Sequence, residues 1–261
     1  VTFVKYSTPS FLALLPIPFI FGPVGGGESA PKAFSQNFSR RGKIYELLRN
    51  LLRWIGEHDP FTHMTVRRSV LNWATTTDTA KRLSHLGANR VEVLSQVGLL
   101  PEEVIYLEQF PLPDCAPLRF ISIGRFLHWK GFDLSLQAFA QADLPLAAEY
   151  WLIGSGPERE SLQQLATDLG IADRVTFLAE MPRNQLLQTL GTCIALVHPS
   201  LHESGGFVCL EAMAAGRPAI CLDLGGPAVQ VTAETGFKIP ALNPEQAIAG
   251  LAQAMSSLAN D

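Results

Sequence analysis

Three observations predict two doubly wound α/β lobes built on parallel sheets. From residue 118 onward, short apolar or β-branched runs alternate with helical patterns at a regular spacing. Those runs are apolar throughout, as strands covered by helices on both faces must be. A proline-rich stretch, EQFPLPDCAPL at 108–118, divides this part from a less regular first one and has the composition of a linker between lobes. The division falls at 1–112 and 113–261.

In the second lobe the expected strands are LRFISIG (118–124), EYWLIG (149–154), RVTFLA (174–179), CIALVHPS (193–200), PAICLD (218–223) and TGFKI (235–239). Helices are expected at 131–142, 157–169, 183–191, 206–215 and 243–258, each filling the gap that a parallel crossover requires. In the first lobe, strands are expected at 1–5, 18–21 and 91–95 and helices at 43–57, 62–72 and 78–87. FLALLPIPFIF, 11–21, is the most apolar stretch. It is too short to span a bilayer and carries Pro16 and Pro18, so it reads as a buried strand. A doubly wound domain ordinarily opens on a strand leading into a glycine-rich turn. This chain opens on VTFVK, and the expectation is an incomplete N-terminal lobe.

The hydrophobic fraction of 47% permits a sizeable core, and the 17% of charged residues is below the roughly 25% usual for soluble domains. A net charge of −4 argues against a nucleic-acid surface, which needs a basic stripe. Basic residues do cluster locally, as Arg40, Arg41, Lys43, Arg49 and Arg53, beside Leu, Ile and Trp. The helix that carries them, 40–57, is either a solvated face or a contact with an anionic membrane surface. Cys115, Cys193, Cys209 and Cys221 lack C-x-x-C spacing and read as buried thiols of a reducing compartment, which implies a cytoplasmic location. No charged n-region and cleavage site precede the apolar stretch at 11–21, so no signal peptide is read.

Three sheet-edge turns carry candidate chemistry. In SIGRFLHWKGF, 122–132, Arg125 and Lys130 stand at the carboxyl edge of a parallel sheet, where ligands of open α/β folds bind. A planar fork and a mobile point charge suit a diphosphate; two ordinary surface cations are the other reading. In LIGSGPERE, 152–160, Gly154 and Gly156 admit close approach of a ligand or serve a tight turn. In HESGGFVCLEAMAAGRP, 202–218, Glu203 enters a loop whose Gly205 and Gly206 clear the N-terminus of a helix. Glu211 lies on that helix and is expected to face the same crevice. Carboxylates accept hydrogen bonds from neighbouring hydroxyls, so the pair suits a ligand with two diols, a hexose and a ribose. DLGGPAVQV, 223–231, adds another glycine pair before a helix.

The succession of Gly-Arg and Lys-Gly, GSGP, HPS, two glutamates eight positions apart, EAMAAGRP and GG resembles the family 4, or group 1, retaining glycosyltransferases, whose architecture is GT-B: two Rossmann-type lobes. The similarity is strong over 118–258 and weaker in PFIFGPVGGGE, TTTDTAKRL and VEVLSQVGL. It implies transfer of a hexose from a nucleoside diphosphate sugar to a carbohydrate or lipid-linked acceptor hydroxyl, with no cofactor or metal required. It also implies that Arg125 and Lys130 hold the donor diphosphate. Glu203 then orients the transferred sugar with the amides of Ser204, Gly205, Gly206 and Phe207, and Glu211 accepts from the ribose. Relatives often carry Gly-Phe-Gly-Leu after the first Glu, where this chain has Ser204-Gly205-Gly206-Phe207. Many also carry a histidine where this chain offers Gly22 to Gly27, so no catalytic histidine is assigned. Gly25, Gly26 and Gly27 are instead expected to meet donor or acceptor through backbone N–H groups. His58, His63, His128, His198 and His202 read as surface or structural residues. The rival readings are a nucleotide-sugar-binding chain without turnover and another GT-B enzyme such as a nucleotide-sugar epimerase.

Overall fold

The computed structural model describes residues 5–113 and 117–260. All but Lys5 of the strand expected at 1–5, and Cys115 of the linker, lie outside the described residues.

The first lobe runs β1 (Ile20–Val24), α1 (Lys32–Ser35), α2 (Arg40–Glu57), α3 (Pro60–Arg68), β2 (Leu71–Ala74), α4 (Thr77–His85), β3 (Val91–Val93) and α5 (Pro101–Leu107). Its sheet has the order β1-β2-β3, parallel throughout. Lys5 bridges Gly25 beside it, also in parallel. Local chemistry fixes the helix starts. Ser39 accepts from Gly42 N at 3.2 Å, Asp59 from Thr62 N at 3.0 Å and Thr76 from Thr79 N at 3.2 Å. Each satisfies an N–H that a helix terminus leaves open.

Two expectations fail here. The stretch at 11–21 is not a buried strand: Phe11–Leu14 form a 3₁₀ turn started by Ser10, with Phe11 74% exposed, and the strand begins only at Ile20. Pro16 and Pro18 cannot donate to a ladder, so apolar content alone did not make a strand. The helix expected at 62–72 stops at Arg68, because Leu71 and Asn72 pair with β1 and Asn72 pairs with β3 as well.

The second lobe matches the alternation closely: β4 (Arg119–Ile123), α6 (Phe132–Gln141), β5 (Glu149–Ile153), α7 (Arg159–Asp168), β6 (Val175–Leu178), α8 (Arg183–Gly191), β7 (Ala195–His198), α9 (Phe207–Ala214), β8 (Ala219–Leu222), α10 (Gly225–Gln230), β9 (Gly236–Ile239) and α11 (Pro244–Asn260). The sheet order is β6-β5-β4-β7-β8-β9, all parallel. Strand order reverses between β4 and β7, which opens a crevice at their carboxyl ends. Helices bury both faces: Phe120, Tyr150 and Val197 on one, Ile121, Leu196 and Cys221 on the other. Cys193, Cys209 and Cys221 are free and buried, as expected.

The two sheets are separate but the packing is not. Phe34 and Phe38 from the first lobe enter one core of the second, and Leu107 of α5 enters the other. Arg217, 1% exposed, donates to the carbonyls of Gly191, at 2.7 Å, and Pro111, fastening the end of the inter-lobe stretch to α8.

Candidate active site

The loops that leave β4 and β7 meet at the reversal point. Gly131 lies at φ +67°, and a Cβ there would stand 2.2 Å from Pro199 O. Glycine therefore lets the Lys130 loop settle on the segment after β7. Across that contact Lys130 Nζ pairs with Glu203 Oε2. Burial pushes the Glu203 carboxyl up, but Lys130 and then His198 pull it down further, leaving it below the ordinary carboxylate range. His198, at the end of β7, is 3% exposed, and its Nε2 lies 3.8 Å from Glu203 Oε2. Neither ring nitrogen has a hydrogen-bond partner. Burial, then the Lys130 charge, lower its pKa to about 4, so the ring is neutral near pH 7.

The Glu203 loop is held from below by α10. Gly226 N donates to Glu203 O at 2.7 Å, and Cβ atoms on Gly225 and Gly226 would collide with the Glu203, Ser204 and Gly205 backbone. The third glycine turn thus supports the second. Likewise Gly154 packs on Gly124 O and Gly156 on Phe126 O, so both glycines abut protein backbone in a tight turn behind the Arg125 loop. Arg125 is exposed; among the described residues no hydrogen bond or ion pair holds its side chain.

A cavity of about 400 Å³ opens on this loop, lined by Glu203 through Phe207, Gly26, Glu28, Arg49, Trp129 and His202 among others. Glu211 is not among its lining residues. It lies at the other end of Phe207: Arg183 Nε and Nη2 donate to Glu211 Oε1 at 3.0 and 2.8 Å, and the Arg183 guanidinium carbon stands 5.2 Å from the Phe207 ring centroid. Burial raises the Glu211 carboxyl, and Arg183 offsets only part of that rise. Its Oε2 accepts no hydrogen bond among the described residues. One acceptor oxygen is taken and one is open.

The glycine loop reaches the cavity differently from the expectation. Gly26 N donates to Glu28 Oε2 at 3.1 Å and to Ser204 Oγ at 3.3 Å, and Gly27 N donates to Thr79 Oγ1 at 3.1 Å. These N–H groups serve the protein itself. The organiser is Glu28, 3% exposed, which also accepts from Thr76, Thr79 and Ser204 hydroxyls at 2.5, 3.0 and 2.7 Å. A buried carboxylate so saturated joins the lobes through Ser204. Its signal in the sequence is an acid placed directly after three glycines.

Two histidines sit where the lobes meet. His202 Nε2 and His128 Nε2 both face Glu46 Oε1, at 3.0 and 3.3 Å. Tyr45 stacks on Trp129 and Trp129 on His202, with centroids 4.9 and 5.1 Å apart, so α2 is bound to the cavity wall. A larger cavity of about 820 Å³ lies on the far side of Gly27, lined by His58, His63, Asp78, Lys81 and His85 among others. All of its lining residues belong to the first lobe.

Residues 111–259 match the family described as glycosyl transferases, group 1. The chain belongs to that family. Among curated relatives, this group 1 chain is 35% identical over 150 residues to the lipopolysaccharide core biosynthesis glycosyltransferase LpsE of Rhizobium meliloti, covering 57% of this chain and 42% of LpsE. It spans less than half the length of the curated relatives it matches. In fold it is similar to WaaG, a glycosyltransferase involved in lipopolysaccharide biosynthesis, with TM-score 0.62 and 20% identity over 94% of this chain and 68% of that one. It is also similar to Anabaena HepE solved with UDP-glucose, with TM-score 0.56 and 19% identity over 93% and 67% of the two chains. The fold is that of the GT-B glycosyltransferases, as the sequence resemblance implied.

Proposed function

We propose that the group 1 chain binds a nucleoside diphosphate sugar and transfers its hexose, with retention, to a hydroxyl of a carbohydrate or lipid-linked acceptor in lipopolysaccharide, polysaccharide or glycolipid assembly. The observation that carries this reading is the Lys130–Glu203 pair at the strand-order reversal. It puts a mobile cation and a carboxylate where an α/β sheet receives its ligand.

When the bond from C1 to the diphosphate breaks, negative charge gathers on the leaving phosphate. Lys130, Arg125 and the unpaired N–H groups at the start of α9 stabilise that charge more as it grows, which lowers the barrier rather than merely tightening the ground state. Lys130 leaves Glu203 for the phosphate, and Glu203 turns to the sugar hydroxyls in the cavity beside Ser204 to Phe207. Glu211 Oε2 accepts from the ribose, held in place by Arg183. In this reading cations, not a metal, meet the diphosphate.

Calorimetry with UDP and GDP beside a transfer assay with the matching sugar donors tests it. Saturable binding of one diphosphate, weakened in Lys130→Ala, and transfer of the sugar are the expected results. Binding without transfer marks a nucleotide-sugar-binding chain, and release of an altered free sugar marks an epimerase. No binding of either diphosphate overturns the reading.

A further inference from the structure

β7 is buried at every position, and its last residue, His198, is a histidine without a partner. The ring is 3% exposed, and neither nitrogen is hydrogen-bonded among the described residues. A buried imidazole ordinarily satisfies at least one nitrogen, because an unmade bond leaves the desolvation of that group uncompensated. The neighbouring elements supply four titratable groups. Cys221 of β8 pairs with His198 in the ladder, and α9, packed on β7, carries Cys209. Burial raises both thiols, Cys221 to about 12 and Cys209 well above its usual value, so both stay protonated. The charged two are Lys130 and Glu203.

His198 Nε2 lies 3.8 Å from Glu203 Oε2, the same oxygen to which Lys130 Nζ donates. Glu203 Oε1 accepts no hydrogen bond among the described residues. Two donors thus face one oxygen of a carboxylate whose side chain is 24% exposed, and Lys130 holds it. When Lys130 turns to a diphosphate, Oε2 loses its donor, and a largely buried charge without a partner is costly. We propose that His198 is a positioning residue for transfer: as Lys130 leaves, its Nε2–H closes on Glu203 Oε2 and holds the carboxylate so that Oε1 meets the sugar hydroxyls. Closing the gap to an ordinary hydrogen bond takes a movement of ~1 Å. A neutral donor leaves the carboxylate its charge, which keeps its bonds from hydroxyls strong, while the Lys130 charge goes to the phosphate. Electrostatics favours the exchange, since Lys130 lowers the pKa of His198 and Glu203 raises it. The role in transfer rests on the transfer reading, whereas the change of partner shows in the protein without donor.

NMR of protein labelled with ¹⁵N-histidine reads the change of partner with no donor present, the His198 signals being assigned by their loss in His198→Gln. In Lys130→Met, with circular dichroism checking the fold, the ring should titrate above the wild-type midpoint of about 4 by about one pH unit or more. Adding Glu203→Gln should bring the midpoint back down. Equal midpoints in Lys130→Met and Lys130→Met/Glu203→Gln overturn the proposal. In the transfer assay, His198→Met should keep nucleoside diphosphate binding within a fewfold and lower kcat by about tenfold or more. His198→Gln, whose amide nitrogen donates in the place of Nε2, should recover most of that loss. An unchanged kcat in His198→Met overturns the proposal, and so does an equal loss in both variants, which marks a packing role. Normal transfer with a His198 midpoint blind to Glu203 overturns this role and spares the transfer reading. Change of partner without any transfer by the wild type overturns the transfer reading and the role within it.

Discussion

Lys130 Nζ and Glu203 Oε2 form an ion pair between loops 73 residues apart in sequence, at the one place where the strand order of the second sheet reverses. The pair is largely shielded, with side-chain exposures of 16% and 24%, so removing one partner leaves a desolvated charge. Lys130→Ala and Glu203→Gln are expected to diverge functionally. The first should weaken nucleoside diphosphate binding by about tenfold or more, the loss of a charge-assisted contact. The second should leave that binding within a fewfold of wild type and lower transfer by a larger factor. Calorimetry and initial rates on the same preparations check this, and equal losses of both quantities in Glu203→Gln would refute the division of roles.

His198 supplies a pH signature. Its folded pKa is lowered to about 4 by burial and Lys130, while in the unfolded chain it returns to about 6.5. Between those values the unfolded state holds more protons, so stability falls as pH drops from 6.5 toward 4 and is fully retained above 6.5. A shift of this size corresponds to a contribution on the order of 3 kcal/mol. Urea unfolding of wild type and His198→Gln across pH 4–7 should show a shallower slope in the variant. Parallel curves would mean that the ring is not the titrating group.

Arg183 governs the ribose-side carboxylate in the proposed reading. Burial already raises Glu211, and the two hydrogen bonds from Arg183 hold that rise in check. Removing Arg183 raises it further, so Glu211 protonates at higher pH and loses the charge that strengthens its hydrogen bonds from hydroxyls. Arg183→Ala should weaken nucleoside diphosphate binding several-fold near neutrality and move the acid limit of binding upward. Calorimetric titrations at several pH values read both effects. An acid limit that stays put would separate Arg183 from Glu211.

The second lobe was legible because its strands are short and wholly apolar, and the residues around them are glycine turns and helix patterns. LRFISIG and PAICLD announce a covered parallel strand without help from distant partners. FLALLPIPFIF misled because apolar content without a free N–H at Pro16 and Pro18 does not make a ladder. Leu71–Ala74 was hidden at the end of a helical pattern, since a four-residue strand has too few positions to display a period. Spacing within one segment singled out Glu203, which lines the cavity, and Glu211, which does not. It could not reveal which side chains meet them: Arg183 lies 28 residues from Glu211, Glu28 lies 176 from Ser204, and Glu46 lies 156 from His202. Those pairings depend on how the two sheets face each other. Which face of α2 turns inward was equally invisible, because periodicity reports two faces alike, and here the polar one, with Glu46, Arg49 and Glu57, meets the protein.

Glu28 joins the two lobes through Ser204. Its Oε2 accepts from the Gly26 amide and the Ser204 hydroxyl, and its Oε1 from Thr76 and Thr79. Glutamine in its place must turn an NH₂ toward one of these pairs. Facing Oε2's partners, it meets the Gly26 N–H, which cannot reverse its role. Facing the other pair, the hydroxyls must reorient, and the Thr79 hydroxyl still has to accept from Gly27 N. Hydrogen bonds to a charged group contribute roughly 1.5–3 kcal/mol each. Glu28→Gln is therefore expected to lose about 2–4 kcal/mol in urea unfolding, and Ser204→Ala, which removes only the inter-lobe contact, about 1–2 kcal/mol. The double variant should lose less than the sum, because the two side chains share one bond. Strict additivity in that cycle would show that Glu28 and Ser204 do not act on each other, and the joint would then rest on other inter-lobe contacts, such as Gln230 Nε2 donating to Ser95 Oγ at 3.3 Å and His202 Nε2 against Glu46 Oε1 at 3.0 Å.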